Sequence, residues 1–175
     1  IIPAYFMGIN IARFRKNISK FLNGKERNFL KESSIKLACL LKNGNLNNLV
    51  FLNYSPELEK FLYWCQQLIA ESLGKKGKGF FPVVSNVPKD HHSLLQLYLD
   101  GPKDKIFYIF SSGEKSTNKI KSNHISRKIN FLNKKSLNNI KSAQKQALKK
   151  TLIKNKLPFR EFKINELNEK TLGEL

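Results

Sequence analysis

The sequence predicts an α/β fold with a parallel sheet and helices on both of its faces. Three apolar runs, of the length of strands, and a fourth, more polar strand segment at residues 159–165 are separated along the chain by longer segments with helical periodicity. The runs do not alternate apolar and polar residues, as expected of parallel strands that are covered on both faces. Strands that alternate with helices are joined by right-handed crossovers, which place the strands parallel to one another.

Two helical patterns precede the first strand. Apolar residues recur every three or four positions over residues 11–22, which predicts one amphipathic helix ended by Gly24. Residues 28–44 repeat the pattern and end at Gly44. Cys39 and, in a later helix, Cys65 lie within apolar stripes, so we expect buried, reduced thiols without metal-ligand or disulfide spacing.

The remaining elements follow from local signals. Ser55 and Pro56 are typical of a helix start, Asp90 is predicted to cap another helix, and Pro82 marks its strand as an edge or a bulge. The predicted strands are residues 48–54, 79–85, 105–111 and 159–165. The predicted helices are residues 55–74, 91–100, 137–154 and one that begins in 168–175, with an exposed loop over 113–135. Helix 137–154 is predicted to turn an apolar stripe inward, made of Ile140, Ala143, Ala147, Leu148 and Leu152.

The net charge of +19 is open to two interpretations. A polyanion partner is one, but the excess is mostly lysine, and nucleic-acid sites favour arginine forks and exposed aromatic rings. Lysine, asparagine and isoleucine are abundant together, as AT-rich codons produce, so we predict no nucleic-acid partner. No apolar run reaches the roughly 18–20 residues of a membrane span, and no signal peptide is recognisable. We therefore expect a cytoplasmic protein without membrane association.

Helix 55–74 carries a second face that holds Gln67 and Glu71, together with Lys60 and Trp64. A solvated face with an ordinary i,i+4 polar pair is one interpretation. The other is a partly covered carboxylate with a raised pKa that acts as a general base. Trp64 favours the second, because a large ring beside a carboxylate suggests that this face is covered.

His91 and His92 lie between a predicted strand and a predicted helix, at a carboxyl end where ligands gather in parallel sheets. Local capping or packing is one explanation, and acid/base chemistry near neutral pH is the other. The glycine- and lysine-rich residues 74–79 resemble a phosphate-binding loop, but they lack the P-loop spacing.

Two blocks of sequence resemble the glucose-6-phosphate isomerase family, particularly its bacterial branch. They are "YWCQQLIAESLGKKGKG", with the form Q-Q-x-x-x-E-S, and "DHHSLLQLYLDGPKDK", similar to D-Q-H-S-x-x-Q-L-x-x-x-G-P. "FLKESSIKLACLLKNG", "SPELEKFL" and "TLGEL" fit the same family, so the resemblance covers nearly the whole chain.

The resemblance implies a sugar-isomerase (SIS) domain, a Rossmann-like three-layer α/β/α sandwich. Residues 1–27 would be a helical segment leading from a first SIS domain, and residues 28–175 a second, C-terminally truncated SIS domain. The family's Gly-Gly-Arg segment and C-terminal lysine helix are absent, so we expect the middle-to-C-terminal portion of an enzyme, inactive alone. The implied reaction is the reversible conversion of glucose 6-phosphate to fructose 6-phosphate through a cis-enediol(ate), in glycolysis and gluconeogenesis.

The resemblance also assigns roles to residues. Glu71 would be the general base, His92 would assist ring opening across a homodimer interface, and Gln67 would line the sugar site. No metal or redox cofactor is implied. The family's glutamine is His91 here, so a register with His91 as the active residue stays open, and we expect Glu71 at the carboxyl edge of the sheet. A phosphosugar-binding SIS regulatory module without catalysis is the alternative function.

Overall fold

The computed structural model describes residues 2–43, 46–113, 118–121 and 127–175. The chain divides into two compact units, one made of Ile1–Asn45 with Ile164–Leu175 and the other of Leu46–Lys163. The predicted boundary between residues 27 and 28 remains a prediction. Within the described ranges, no helix combines the length and the apolar character that crossing a bilayer requires.

The first unit is helical. Its described helices are α1 (Ile2–Phe6), α2 (Ile11–Arg15), α3 (Ile18–Asn23), α4 (Arg27–Asn43) and α8 (Glu169–Glu174). The single helix predicted over residues 11–22 is wrong, because the helix is interrupted at residues 16 and 17. The buried side chain of Asn17 there donates a hydrogen bond to Glu174. Cys39 is exposed on α4, so its predicted burial is wrong as well.

The second unit is built on a four-stranded sheet in the order β2-β1-β3-β4. Its strands are β1 (Asn48–Asn53), β2 (Phe81–Asn86), β3 (Lys105–Ser112) and β4 (Phe159–Ile164). Its helices are α5 (Glu59–Leu73), α6 (His91–Asp100) and α7 (Leu137–Lys154), with 3-10 turns at Pro56–Leu58 and Arg127–Leu132. β1 pairs in parallel with β2 and with β3, which confirms the predicted parallel sheet. Pro82 lies on the edge strand β2, as predicted, whereas the turn at Arg127–Leu132 interrupts the predicted loop.

The sheet is covered on both faces, which makes the unit a three-layer α/β/α fold. Alternate residues of β1 point to opposite faces, so Val50 and Leu52 share one face. These two side chains pack in a buried cluster with Tyr98 of α6 and with leucines of α7. On the other face α5 packs beside β2, and Leu62 of α5 is fully buried. Every residue of β1 after the first is buried. This burial on both faces explains why the sequence of β1 is a continuous apolar run.

Candidate functional site

Gln67 and Glu71 lie one turn apart on the exposed face of α5, and Gln67 Nε2 donates a hydrogen bond of 2.9 Å to Glu71 Oε1. The opposite face carries the predicted apolar stripe, whose members are buried or half-buried. That burial fixes the helix and therefore the face on which the polar pair lies. Trp64 is 53% exposed, so the cover that we expected over this face is not provided by the chain itself.

A tight lysine turn follows α5. The Lys78 amide donates to the Lys75 carbonyl at 3.0 Å, and both intervening residues are left-handed, with φ of 54° at Lys76 and 69° at Gly77. Glycine adopts this conformation without steric cost, whereas a lysine rarely does. The three lysines of the turn are exposed beyond the end of α5, where their charge is favourable for the helix dipole.

The topology places Glu71 on the amino side of the sheet. Helix α5 connects two parallel strands, so it starts at their carboxyl edge and runs back to the amino edge. Glu71 follows the first residue of α5, Glu59, by twelve positions (71 minus 59), or about 18 Å along the helix axis. Our expectation that Glu71 lies at the carboxyl edge is therefore wrong.

The two adjacent histidines begin α6, at the carboxyl end of β2, and they differ in environment. His91 is half-buried, and its Nε2 lies 3.3 Å from the hydroxyl of Tyr54, the residue that follows β1. Burial lowers the pKa of His91, while the negative charge of Asp90 opposes that change. His92 is exposed. The structure therefore makes His91 a locally packed histidine and leaves His92 at the surface.

Asp90 organises the loop between β2 and α6. Its carboxylate accepts hydrogen bonds from the Asn86 backbone amide at 2.7 Å and from the Ser85 hydroxyl at 3.1 Å. The prediction that the Asp90 side chain caps α6 is wrong, because it makes no hydrogen bond to the first turn of that helix. The Asn86 side chain in turn donates to Glu59 at 2.7 Å and accepts from Asn53 at 3.1 Å. Polar side chains at this edge thus satisfy one another.

The predicted site residues divide into two groups in one chain. Gln67 and Glu71 are brought together, whereas His92 lies toward the opposite edge of a sheet whose six-residue strands are about 20 Å long. One copy of this chain therefore does not place the Glu71 carboxylate beside the His92 imidazole.

A cavity of about 230 Å³ at the carboxyl ends of β1 and β3 was missed by the sequence reasoning. Its described lining is Tyr54, Ser111, Ser112, Asn138, Lys141, Ser142, Lys145 and Lys163. The predicted inward stripe of α7 is partly wrong, because Ala143 and Ala147 are exposed while Lys141 and Lys145 line this cavity. The signal was present as two lysines four positions apart, in line with Leu148 and Leu152.

Other candidate chemistry in the chain is weaker. Burial raises the pKa of the Cys65 thiol, against a smaller opposing effect of a backbone hydrogen bond, which makes it a poor nucleophile. In the ranges that the structure describes, no three histidine, cysteine or acidic side chains group closely enough to hold a metal ion.

Comparison with known proteins relates the whole chain to one group of enzymes. No protein-family model matches the sequence. All of it aligns, at 30% identity over 190 residues, with a glucose-6-phosphate isomerase from Methanocaldococcus jannaschii. A glucose-6-phosphate isomerase from Carboxydothermus hydrogenoformans is 31% identical over 191 residues, again covering all of this chain. The chain belongs to the glucose-6-phosphate isomerase family.

The chain spans less than half of these relatives, 44% of the first and 41% of the second. Among solved structures, a hypothetical protein of Thermus thermophilus matches 98% of the chain with a TM-score of 0.79 at 24% sequence identity. Only 43% of that protein is matched. This structural similarity supports the α/β fold.

Proposed function

We propose that this chain is the part of a glucose-6-phosphate isomerase that carries the general base, Glu71, and the ring-opening residue, His92. The substrates are glucose 6-phosphate and fructose 6-phosphate, interconverted through a cis-enediol(ate) in the cytoplasmic pathways of glycolysis and gluconeogenesis. The observation that carries the proposal is the alignment of the whole chain with two glucose-6-phosphate isomerases at 30% and 31% identity. Within it, Gln67 donates a hydrogen bond of 2.9 Å to Glu71 on the exposed face of a packed helix.

That hydrogen bond suits Glu71 to proton transfer. The Gln67 amide occupies Oε1 and orients the carboxylate, which leaves Oε2 to take a proton from C2 of the open-chain sugar and return it to C1. A second proton passes from the C2 hydroxyl to the C1 oxygen, which turns the aldehyde into a hydroxyl and C2 into the ketone. The two carbons are neighbours in a planar intermediate, so one carboxylate above the plane reaches both. In this proposal Gln67 also contacts the sugar hydroxyls.

His92 is proposed to act in the site of a neighbouring subunit. It is exposed and lies toward the sheet edge opposite Glu71, so within one chain it is not placed to act on the same sugar. A symmetric dimer exchanges the same surfaces, which lets each subunit give its histidine to the other. His91 is the weaker candidate, because it is half-buried and bonded to Tyr54.

In this proposal the activity also requires residues outside these 175, because the relatives are more than twice as long. We assign residues 28–175 to the second SIS domain and residues 1–27 to the segment that leads into it. The 175 residues alone are expected to turn over negligible glucose 6-phosphate.

A chimera tests the proposal. The 175 residues replace the aligned part of the Methanocaldococcus jannaschii isomerase, and glucose 6-phosphate turnover is measured with Glu71 intact and as Glu71→Gln. We expect an active chimera that loses about 10²- to 10⁴-fold in kcat on substitution, the usual contribution of a general base. Glu32→Gln is the matched control, since Glu32 belongs to another exposed i,i+4 pair, 3.4 Å from Lys36.

A Glu71→Gln chimera with undiminished turnover would contradict the proposal. A folded chimera that binds 6-phosphogluconate equally well with either residue at position 71, and never turns over substrate, would instead favour the regulatory SIS module.

A further inference from the structure

We propose that the cavity at the carboxyl ends of β1 and β3 binds a small oxyanion, the phosphate group of a phosphorylated metabolite, at a site separate from Glu71. The sheet order reverses between these two strands, because the chain leaves β1 for β2 on one side and places β3 and β4 on the other. In open parallel sheets ligands bind in the crevice at such a switch point, outside the carboxyl ends of the strands. Tyr54 follows β1 and Ser111 and Ser112 end β3, so the cavity lies in that crevice.

The charge of the cavity selects an anion. Of the described residues that line it, three are lysines and none is acidic. Lys145 Nζ donates to the Ser111 hydroxyl at 2.8 Å and lies 3.3 Å from the Glu161 carboxylate, which also accepts from Lys149. Burial disfavours the charged form of Glu161, but the hydrogen bonds and charges of the two lysines outweigh it and lower its pKa. Among the described residues, one carboxylate therefore faces two ammonium groups, and the described wall of the cavity is positively charged.

The walls of the cavity are held in place before any ligand arrives. Ser55 is fully buried, and its hydroxyl accepts the Ser112 amide at 2.6 Å and donates to the Ser112 hydroxyl at 2.9 Å. Lys141 Nζ donates to the Tyr54 carbonyl at 3.3 Å. The Lys145 side chain is only 12% exposed, and a partly buried charge attracts an anion more strongly than one in bulk water.

The size of the cavity limits the ligand. About 230 Å³ is below the roughly 300–1,000 Å³ of pockets that enclose a whole drug-sized ligand. A phosphate group with a short attachment fits this space, whereas a nucleotide does not. Hydroxyl and ammonium donors are the groups that phosphate oxygens accept from.

The test is a titration of the chain with inorganic phosphate at constant ionic strength, followed by the backbone amide signals in NMR spectra. We expect saturable shifts at residues 111–112 and 138–142. Lys141→Gln and Lys163→Gln are each expected to raise the apparent Kd about tenfold, the effect of one charge-assisted hydrogen bond. Lys150→Gln is the matched control, because Lys150 is exposed on the same helix outside the cavity.

Three outcomes would overturn the proposal: no saturable shift, shifts centred on the lysine turn at residues 75–78, or an equal loss of affinity in Lys150→Gln. Lys163 is exposed, so its substitution tests the site without disturbing the fold, which circular dichroism verifies. Glu71→Gln is expected to bind phosphate as the parent chain does. The anion site and the isomerase assignment can therefore fail independently.

Discussion

The polar residues at the two edges of the sheet differ in their hydrogen bonding. At the carboxyl edge Asn53, Asn86, Asp90 and Glu59 bond to one another or to the backbone, so their hydrogen bonds are made within the fold. At the far end of α5, the exposed Glu71 takes its hydrogen bond from one neighbouring side chain. The first arrangement holds loops in place, whereas the second presents a carboxylate to whatever lies outside the chain. We therefore expect substitutions of these four hydrogen-bonded residues to cost stability and a substitution of Glu71 to cost activity.

The largest stability effect is expected on the buried face of the helix that carries Glu71. Leu62 is fully buried, so Leu62→Ala should lower the free energy of unfolding by about 2–5 kcal/mol through lost contacts and an incompletely filled cavity. Leu68 on the same helix is 41% exposed, and Leu68→Ala should change the free energy of unfolding by less than about 0.5 kcal/mol. Urea unfolding followed by circular dichroism measures both, and similar losses would show that the two faces are not distinct.

Asp90→Ala is expected to have the next largest effect. The change removes the acceptor for the Asn86 amide and for the buried Ser85 hydroxyl, at a cost of about 1–3 kcal/mol. Glu71→Gln should stay within about 0.5 kcal/mol of the parent chain, because that side chain is exposed. The same unfolding measurement compares them, and a Glu71→Gln variant as unstable as Asp90→Ala would remove the contrast between the edges.

The smallest effect is a pH dependence that His91 contributes. Burial lowers the pKa of His91 in the folded chain below its ordinary value of 6.5. The neutral imidazole therefore contributes stability above pH 6.5, and this stability is lost as the pH falls through the folded-state pKa. His91→Gln should therefore lose less stability than the parent chain between pH 7.5 and a pH below 6.5. His92→Gln is the matched control, since it makes the same substitution at the neighbouring, exposed histidine. Identical pH profiles for the parent chain and His91→Gln would refute this role.

Most of the sheet could be predicted from the sequence because three of its strands are apolar runs, of which β1 is the clearest example. The interruption of the helix at residues 16 and 17 was not predicted, since the buried Asn17 there bonds to Glu174, which is distant in the sequence. The predicted burial of Cys39 was wrong because an apolar stripe on a helix does not show whether another element packs against that stripe.

The candidate site was predictable only where it is local. The i,i+4 spacing of Gln67 and Glu71 fixes their contact on any helix, and the structure has it. The cavity of Ser111, Lys141 and Lys145 joins a strand end to a helix, and only the tertiary structure aligns the two. The position of Glu71 near the amino edge follows from helix length and strand order, which no local motif reports.

The central claim is that Glu71 and His92 of one subunit serve different active sites, and a complementation experiment tests it directly. Chimeras carrying Glu71→Gln or His92→Ala are each expected to be nearly inactive, and they are unfolded together and refolded as a mixture. Half of the dimers are then mixed, with one intact site of two, so the mixture should recover about a quarter of the parent activity. A mixture no more active than its components would contradict the account.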